Sequence, residues 1–254
     1  MKKISILGCG WLGKPLAISF LEEGFAVKGS TTSKEKMATL ASVGVEPYLV
    51  NISKFKEVNA FLTSDILIVA ITSKDVAGFE NLVSQITNSP IQKVIFISST
   101  SVYPRINKIM AEEDVLDENN PLVKIENLFR KNTFFKSTII RFAGLFGGER
   151  HPGNWFKGGR KIPQPKGFVN MIHREDCIAI IHEIINQNCW NETFNACATH
   201  HPTREEFYVN ARNSKGLEAP IFEKNEKYEW KIISSSKLEN VLGYSFIYDD
   251  LLSI

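Results

Sequence analysis

Gly8, Gly10 and Gly13 are spaced as Gly-x-Gly-x-x-Gly, between the apolar run Ile4-Ser5-Ile6-Leu7 and a helical pattern that begins at Lys14. That spacing in that context suits a phosphate site. Gly8 allows a tight turn, Gly10 lets the backbone approach a pyrophosphate, and Gly13 lets the helix pack close to the strand. The helix N-terminus then offers free N–H groups and a positive dipole end to the phosphates. An ordinary strand-to-helix turn would not need glycines at all of these positions. The pattern therefore predicts dinucleotide binding by the turn, with Trp11 and Leu12 part of the same site.

A second segment bears on which dinucleotide. An NAD site usually places Asp or Glu about 20 residues beyond the glycines, on the ribose 2′-hydroxyl. Here the chain reads Lys28-Gly29-Ser30-Thr31-Thr32-Ser33-Lys34, without an acid. The hydroxyls of Ser30, Thr31, Thr32 and Ser33 with the Lys34 charge suit a 2′-phosphate, so NADP(H) is favoured over NAD(H). Ser33 could also cap the helix that follows, and both roles are compatible. Asn51 and Ile52 are expected near the adenine, and Ala70, Ile71 and Thr72 near the diphosphate and ribose.

These residues must be held by an alternation of strands and helices. Strands are predicted at Lys3-Leu7, Ala26-Ser30, Glu46-Val50, Asp65-Ala70, Lys93-Ser98, Thr138-Phe142 and Thr193-Ala196. Helices are predicted at Lys14-Glu23, Lys34-Val43, Phe79-Thr87, Pro121-Lys131, Arg174-Gln187 and Ser236-Leu242, with Gly24 and Gly44 as helix stops. Apolar runs alternating with helices read as an α/β fold, a doubly wound parallel Rossmann sheet of about seven strands. The sheet domain is expected over 1–143, with 171–198 completing the layer. The glycine- and proline-rich stretch 144–170 and the charged stretch 199–254 are expected to form a small C-terminal substrate lobe, over the sheet edge where ligands bind.

Composition narrows the function. The chain has 254 residues, 43% hydrophobic, with net charge +2, enough for a sizeable core. Its scattered positive charge gives no nucleic-acid or membrane footprint. The short apolar run after Lys2-Lys3 is broken by glycine and is neither a signal peptide nor a span. Cys9, Cys177, Cys189 and Cys197 lack metal-ligand spacing, so no metal is expected and thiols in a reducing cytoplasm are. Cys9 reads as a small side chain fitting the turn.

Further motifs stand in order along the chain: Ile97-Ser98-Ser99-Thr100-Ser101-Val102-Tyr103, Arg141-Phe142-Ala143-Gly144-Leu145-Phe146-Gly147, Asn170-Met171-Ile172-His173-Arg174-Glu175-Asp176 and Pro202-Thr203-Arg204-Glu205-Glu206-Phe207-Tyr208. With Gly8-Cys9-Gly10-Trp11-Leu12-Gly13 and a closing Lys231-Ile232…Leu242-Gly243-Tyr244, they resemble the extended short-chain dehydrogenase/reductase superfamily of the epimerase/dehydratase type, and within it the atypical YeeZ-like branch, over nearly the whole chain. The resemblance implies that Ser99 hydrogen-bonds a substrate oxygen and that Ser98 and Ser99 lie beside the nicotinamide ribose. It also implies that Ala143 and Gly144 border the nicotinamide, and that Thr100, Arg141, Asn154 and His173 form or support a substrate pocket. Structural alternatives stay open: Ser99 finishing a strand, Arg141 pairing inside the fold, His173 anchoring a loop and Asp176 starting a helix.

The sequence departs from the superfamily at its acid/base pair, Tyr-x-x-x-Lys. The matching segment, Glu118-Asn119-Asn120-Pro121-Leu122-Val123-Lys124-Ile125-Glu126, has no tyrosine. Aligning Asn120 with the tyrosine puts Lys124 at the lysine; aligning Pro121 with the residue before it gives Leu122 and Glu126. Neither restores the pair, and Tyr103 or Lys124 becomes a candidate substitute. Two readings follow. One is an NADP(H)-dependent oxidoreductase or epimerase/dehydratase-like enzyme on a small polar substrate such as a sugar nucleotide. On this reading Arg150, His151, Lys157, Arg160 and Lys161 either meet an anionic substrate or are simply solvated. The other is a non-catalytic NADP(H)-binding redox sensor or scaffold. Either a monomer or a homodimer is compatible. Leu82, Val83 and Ile86, or Leu122, Ile125, Leu128 and Phe129, are candidates for a dimer face or for ordinary inward faces.

Overall fold

The computed structural model describes residues 2–54, 56, 58–156, 158–224 and 228–253. Its elements in chain order are β1 (Lys3–Leu7), α1 (Gly13–Glu22), β2 (Ala26–Thr31), α2 (Lys34–Ala41), β3 (Glu46–Leu49), β4 (Ile66–Val69), α3 (Val76–Thr87), β5 (Lys93–Ser99), β6 (Lys108–Met110), α4 (Pro121–Arg130), β7 (Lys136–Phe142), β8 (Gly144–Phe146), β9 (Met171–His173), α5 (Arg174–Asn186), β10 (Thr193–Ala196), α6 (Arg204–Asn213), β11 (Lys231–Ile233) and α7 (Ser236–Leu242). All the expected sheet strands form, and they make one parallel sheet in the order β10-β7-β5-β4-β1-β2-β3. Winding reverses between β1 and β4, the switch point where such sheets take ligands.

The packing separates two compact units, one of residues 1–98, 118–140 and 184–193 and the other of 99–117, 141–183 and 194–254. In the first, β4 is buried along its whole length, as a strand covered on both faces must be. Phe96 stacks on Phe129 at 4.6 Å, and Phe79 meets Phe96 edge-on at 5.7 Å. Gly24 and Gly44 have φ of +82° and +88° just past α1 and α2, so the expected stops are left-handed glycines. Asp75 caps α3 by accepting from the Gly78 N–H, and Asn120 caps α4 by accepting from the Leu122 N–H. Leu82, Ile86, Leu122, Ile125 and Phe129 are all buried. These residues face inward, while Val83 and Leu128 of the same stripes are half-buried.

The second unit is built on two short parallel pairs, β6–β11 and β8–β9. Its core gathers Phe146, Ile162, Val169, Met171, Phe207 and Leu251. Helix α6 lies outside the helices predicted above. Its start is the reciprocal cap in which Thr203 accepts from the Glu206 N–H and Glu206 accepts from the Thr203 N–H. The C-terminal segment hangs on Asp176, which is fully buried and accepts from the Tyr244 hydroxyl and from the N–H groups of Ile247 and Tyr248.

Candidate functional site

The glycine turn lies in the first unit. Gly8 has φ of +101°, and a Cβ there would sit 2.8 Å from the Ala70 carbonyl oxygen. A Cβ on Gly13 would sit 2.2 Å from the Gly8 carbonyl oxygen. These two glycines are therefore required by the fold itself. Gly10 is different: an added Cβ would meet no atom within 4 Å. Helix α1 begins after Leu12 with no side-chain cap, and the Lys14 N–H donates to the Gly10 carbonyl at 3.0 Å. A closed turn, one open glycine and an uncapped helix start fit a dinucleotide pyrophosphate.

Ser30 takes a different part from the one expected. It is buried, and its hydroxyl accepts from the Gly8 N–H at 2.9 Å while its carbonyl accepts from Cys9. It braces the turn and is not free for a 2′-phosphate. The Thr31 hydroxyl accepts from the Ser33 N–H, and the Ser33 hydroxyl donates to Glu35 without capping α2. Thr32 and Lys34 are exposed at the end of β2 and the start of α2. Asn51 accepts from the Ser53 N–H, and Ile52 opens a short helical turn. Ala70 donates to the Leu7 carbonyl, while Ile71 is half-buried and Thr72 exposed. Burial drives the Cys9 thiol up to about 12, which makes it inert.

Ser98 is buried at the end of β5, and its hydroxyl donates to Glu126 at 2.5 Å. Glu126, also buried, pairs with Arg130 at 2.9 Å. Lys124 is exposed. The first alignment above sets Asn120 and Lys124, and the second Leu122 and Glu126, where the resemblance expects the tyrosine and the lysine. A carboxylate and an alkyl group cannot reproduce a lysine-activated phenol. Glu126 was legible only through the second alignment; its bond to Ser98 spans separate elements and leaves no local signal.

In the second unit, Ser99 is half-buried and its hydroxyl oxygen accepts from the Ser101 N–H at 3.1 Å. That fixes the oxygen and leaves its own O–H to donate. Thr100 is buried. Tyr103 is buried too, and its phenol oxygen lies 2.5 Å from Arg141 Nη1 and donates to Asn195 at 2.8 Å. Burial raises its pKa, against the lowering influence of Arg141 and Asn195. Arg141, 1% exposed, also donates to the Glu112 carbonyl. The Asn195 N–H donates to the Glu112 carboxylate at 2.7 Å, and burial raises that carboxyl. Arg141 is therefore a buried tie inside the fold, not a substrate-facing group, and Tyr103 is engaged on both sides of its oxygen. Glu112 and Asn195 complete this network, and neither stands in a motif.

His173 is buried between Phe146 and Tyr248, with its Nδ1 accepting from the Glu175 N–H. Burial lowers its pKa, so it is a neutral packing group. Its Nε2 would lie 2.3 Å from a Cβ on Gly147, which fixes the loop after β8. Asn154 is exposed in a turn packed on α6 so closely that a Cβ on Gly153 would meet the Ala211 carbonyl at 2.1 Å. The Ala143 N–H donates to Ala196, and Gly144 pairs with Met171. Of the basic residues in the loop, Arg160 lies over the Phe156 ring, Lys161 is exposed, Arg150 pairs with Gly147 through the backbone, and His151 accepts from the Gly153 N–H. Lys157 lies outside the described residues. Among the described residues no cluster could hold a metal ion, and no helix is long and apolar enough to cross a membrane.

A parallel sheet with a switch point and a glycine turn of this geometry defines a Rossmann-type α/β protein. Residues 3–101 match the family model described as NADP oxidoreductase, coenzyme F420-dependent. The chain is 30% identical to Protein YeeZ of Escherichia coli (strain K12), over 99% of this chain and 98% of that protein. It therefore belongs to the YeeZ family. Among solved structures it is similar to a functionally unknown conserved protein from Silicibacter pomeroyi DSS, with TM-score 0.85 and 18% identity over 100% of this chain and 96% of that one. It is also similar to a UDP-glucuronic acid 4-epimerase from Bacillus cereus in complex with NAD, with TM-score 0.81 and 17% identity over 98% and 95% of the two chains. At those identities the likeness is one of fold.

Proposed function

We propose that this protein binds NADP(H) through its glycine turn and acts as an oxidoreductase or epimerase/dehydratase-like enzyme on a small polar substrate, a sugar nucleotide being the model. The observation that carries the reading is Gly10, the one glycine of the motif that the fold leaves open. A site that must admit a pyrophosphate has a reason to keep it so. Thr31, Thr32, Ser33 and Lys34 stand at the end of β2 and the start of α2, where a 2′-phosphate would be met. Support also comes from the NADP oxidoreductase family model over residues 3–101 and from the NAD held by the similar epimerase.

When bound, the nicotinamide supplies hydride chemistry. Ser99 donates its hydroxyl to the substrate oxygen, with the oxygen held by Ser101. Tyr103 positions the turn that carries Ser99 and is not the proton donor, because Arg141 and Asn195 already hold its phenol. A second reading, a binder that senses cofactor without turnover, is favoured by the absence of a tyrosine from the segment 118–128.

Titration of the purified protein with NADPH and NADH, followed by nicotinamide fluorescence, tests the first step. Tight NADPH binding with weaker NADH binding is expected. Binding of neither overturns both readings. NADPH oxidation in the presence of carbonyl compounds, lost in Ser99→Ala, separates the enzyme from the sensor.

A further inference from the structure

A groove opens in the first unit at the sheet edge away from the glycine turn. The turn follows the C-terminal end of β1. The groove lies where the neighbouring parallel strands β5, β7 and β10 start, at Lys93, Lys136 and Thr193. The loop from α4 to β7 and the turn before β10 complete its walls, and its volume is about 770 Å³. Small-molecule sites run to roughly 300–1,000 Å³.

Three cations line this groove, and only one of them is answered by an acid. Arg130 ends α4 and donates to the buried Glu126 carboxylate at 2.9 Å and to Asn127 at 2.7 Å. Lys93 is half-buried and held by neutral groups alone. Its Nζ donates to Asn188 Oδ1 at 2.7 Å and lies 5.3 Å from the Trp190 ring centroid. Trp190 is itself fixed, its indole N–H donating to the same Asn188 oxygen at 2.8 Å. The fold therefore sets the Lys93 ammonium in place with donor capacity to spare. Lys136 is exposed, and among the described residues neither lysine has an ion-pair partner. Glu192 is the one acid among the lining residues. Against two unpaired lysines it leaves the groove with an excess positive charge.

Phe134 stands at the same groove and is 70% exposed. Its neighbour Phe135 is buried and reaches Phe129 at 6.4 Å, so the loop turns one ring in and leaves one out. The Phe134 N–H donates to Asn132 Oδ1 at 2.9 Å, which fixes the loop at that residue. A lone exposed ring is ordinary on a protein surface. Beside a cavity of this size and an unanswered charge, it gives the lining two characters, one cationic and one flat and apolar.

We propose that this groove is a second ligand site, separate from the dinucleotide turn, and that it takes an aromatic carboxylate. A carboxylate brings one negative charge and matches the excess, whereas a phosphate monoester brings about two. Lys93 and Lys136 donate to the carboxylate oxygens. The ligand ring lies against Phe134 in offset or edge-on contact. An aliphatic acid would leave Phe134 without a stacking partner, and a neutral arene would leave the charge unanswered.

The test is calorimetric titration of the full chain with 2-naphthoate. The comparison compounds are 2-naphthalenemethanol, a neutral arene, and cyclohexanecarboxylate, an acid without an aromatic ring. Parent, Phe134→Ala, Lys136→Gln, Lys93→Gln and Gly10→Ala proteins are titrated, each after a melting curve. 2-Naphthoate is expected to bind about fivefold or more tighter than either comparison compound. Its affinity is expected to fall about fivefold in Phe134→Ala and about threefold in each lysine variant. It is expected to hold in Gly10→Ala and under saturating NADPH. Phe134 and Lys136 are exposed, so their variants are expected to melt with the parent; should Lys93→Gln melt low, Lys136→Gln carries the charge test. No 2-naphthoate binding, binding displaced by NADPH or lost in Gly10→Ala, or binding indifferent to Phe134 and both lysines overturns the site. So does equal affinity for either comparison compound. A dimer in sedimentation that Phe134→Ala dissolves puts a second copy in the groove and overturns the ligand. Binding of 2-naphthoate that follows Phe134 and the lysines, without any NADPH binding, overturns the cofactor reading and leaves this site standing.

Discussion

Replacing Gly10 and Gly13 by alanine separates what the fold needs from what a ligand needs. At Gly13 the new methyl carbon would stand 2.2 Å from the Gly8 carbonyl oxygen and 3.0 Å from the Gly8 carbonyl carbon. Both are backbone atoms of the turn itself, so no side chain can swing aside. Overpacking of this kind costs about 1–3 kcal/mol, and a backbone clash belongs at the upper end. For a chain of this size that lowers Tm by roughly 5–10 °C. At Gly10 the methyl meets nothing within 4 Å, and φ is outside the left-handed range. Restricting the unfolded chain there stabilises by about 0.4–1 kcal/mol, so Gly10→Ala should melt with the parent or slightly above it. Its NADPH affinity should nonetheless fall by about tenfold, or ~1.4 kcal/mol, because the methyl occupies the surface the pyrophosphate approaches. Calorimetric melting of the two variants without ligand, followed by NADPH titration of Gly10→Ala, reads both quantities. If Gly10→Ala melts as low as Gly13→Ala, the open face of the turn has been misread. If it melts normally and binds NADPH like the parent, no phosphate passes Gly10.

Other perturbations reach the rest of the molecule. Tyr103→Phe removes the phenol between Arg141 and Asn195 and should cost about 1–3 kcal/mol in denaturant unfolding while leaving NADPH affinity unchanged; an unchanged midpoint would remove Tyr103 from the buried network. Asp176→Ala strips three donors of their acceptor and should cost about 3 kcal/mol or more, with early proteolysis of the C-terminal segment as its signature. Thr203→Ala should cost about 1 kcal/mol through loss of the α6 cap, read as a shifted melting midpoint. Two groups make stability rise with pH, each in its own window. Lys231 titrates near 8 in the fold against 10.5 ordinarily, so the unfolded chain holds more protons through that window and stability rises with pH across it; Lys231→Met should flatten the rise. His173, lowered below 6.5 by burial, makes the unfolded chain take its proton first, so stability falls as pH drops through about 6.5; His173→Gln should soften that fall in urea midpoints taken at stepped pH.

The strands of the sheet were legible because each is a short run of buried apolar residues whose periodicity survives in the sequence. The glycine motif was legible because backbone geometry at Gly8 and Gly13 admits no other residue. Helix α6 escaped a reading by hydrophobic periodicity, although its Thr203-x-x-Glu206 cap was present. The hydroxyls of residues 30 to 33 look alike in sequence, yet the fold turns Ser30 onto the Gly8 N–H and Ser33 onto Glu35. Arg141 and His173 likewise stand in motifs that fit a pocket, but the structure buries both as packing and hydrogen-bonding groups. What the sequence alone determined is what short-range sterics and hydrophobic pattern control: the order of the sheet strands and the helices between them, the parallel sheet and the glycine turn. The tertiary structure decided which polar side chains brace the fold and which remain free. A hydroxyl or a cation is committed by partners tens of residues away, as Tyr103 is by Asn195 and Lys231 by the Thr100 carbonyl, and no local pattern encodes where those partners arrive.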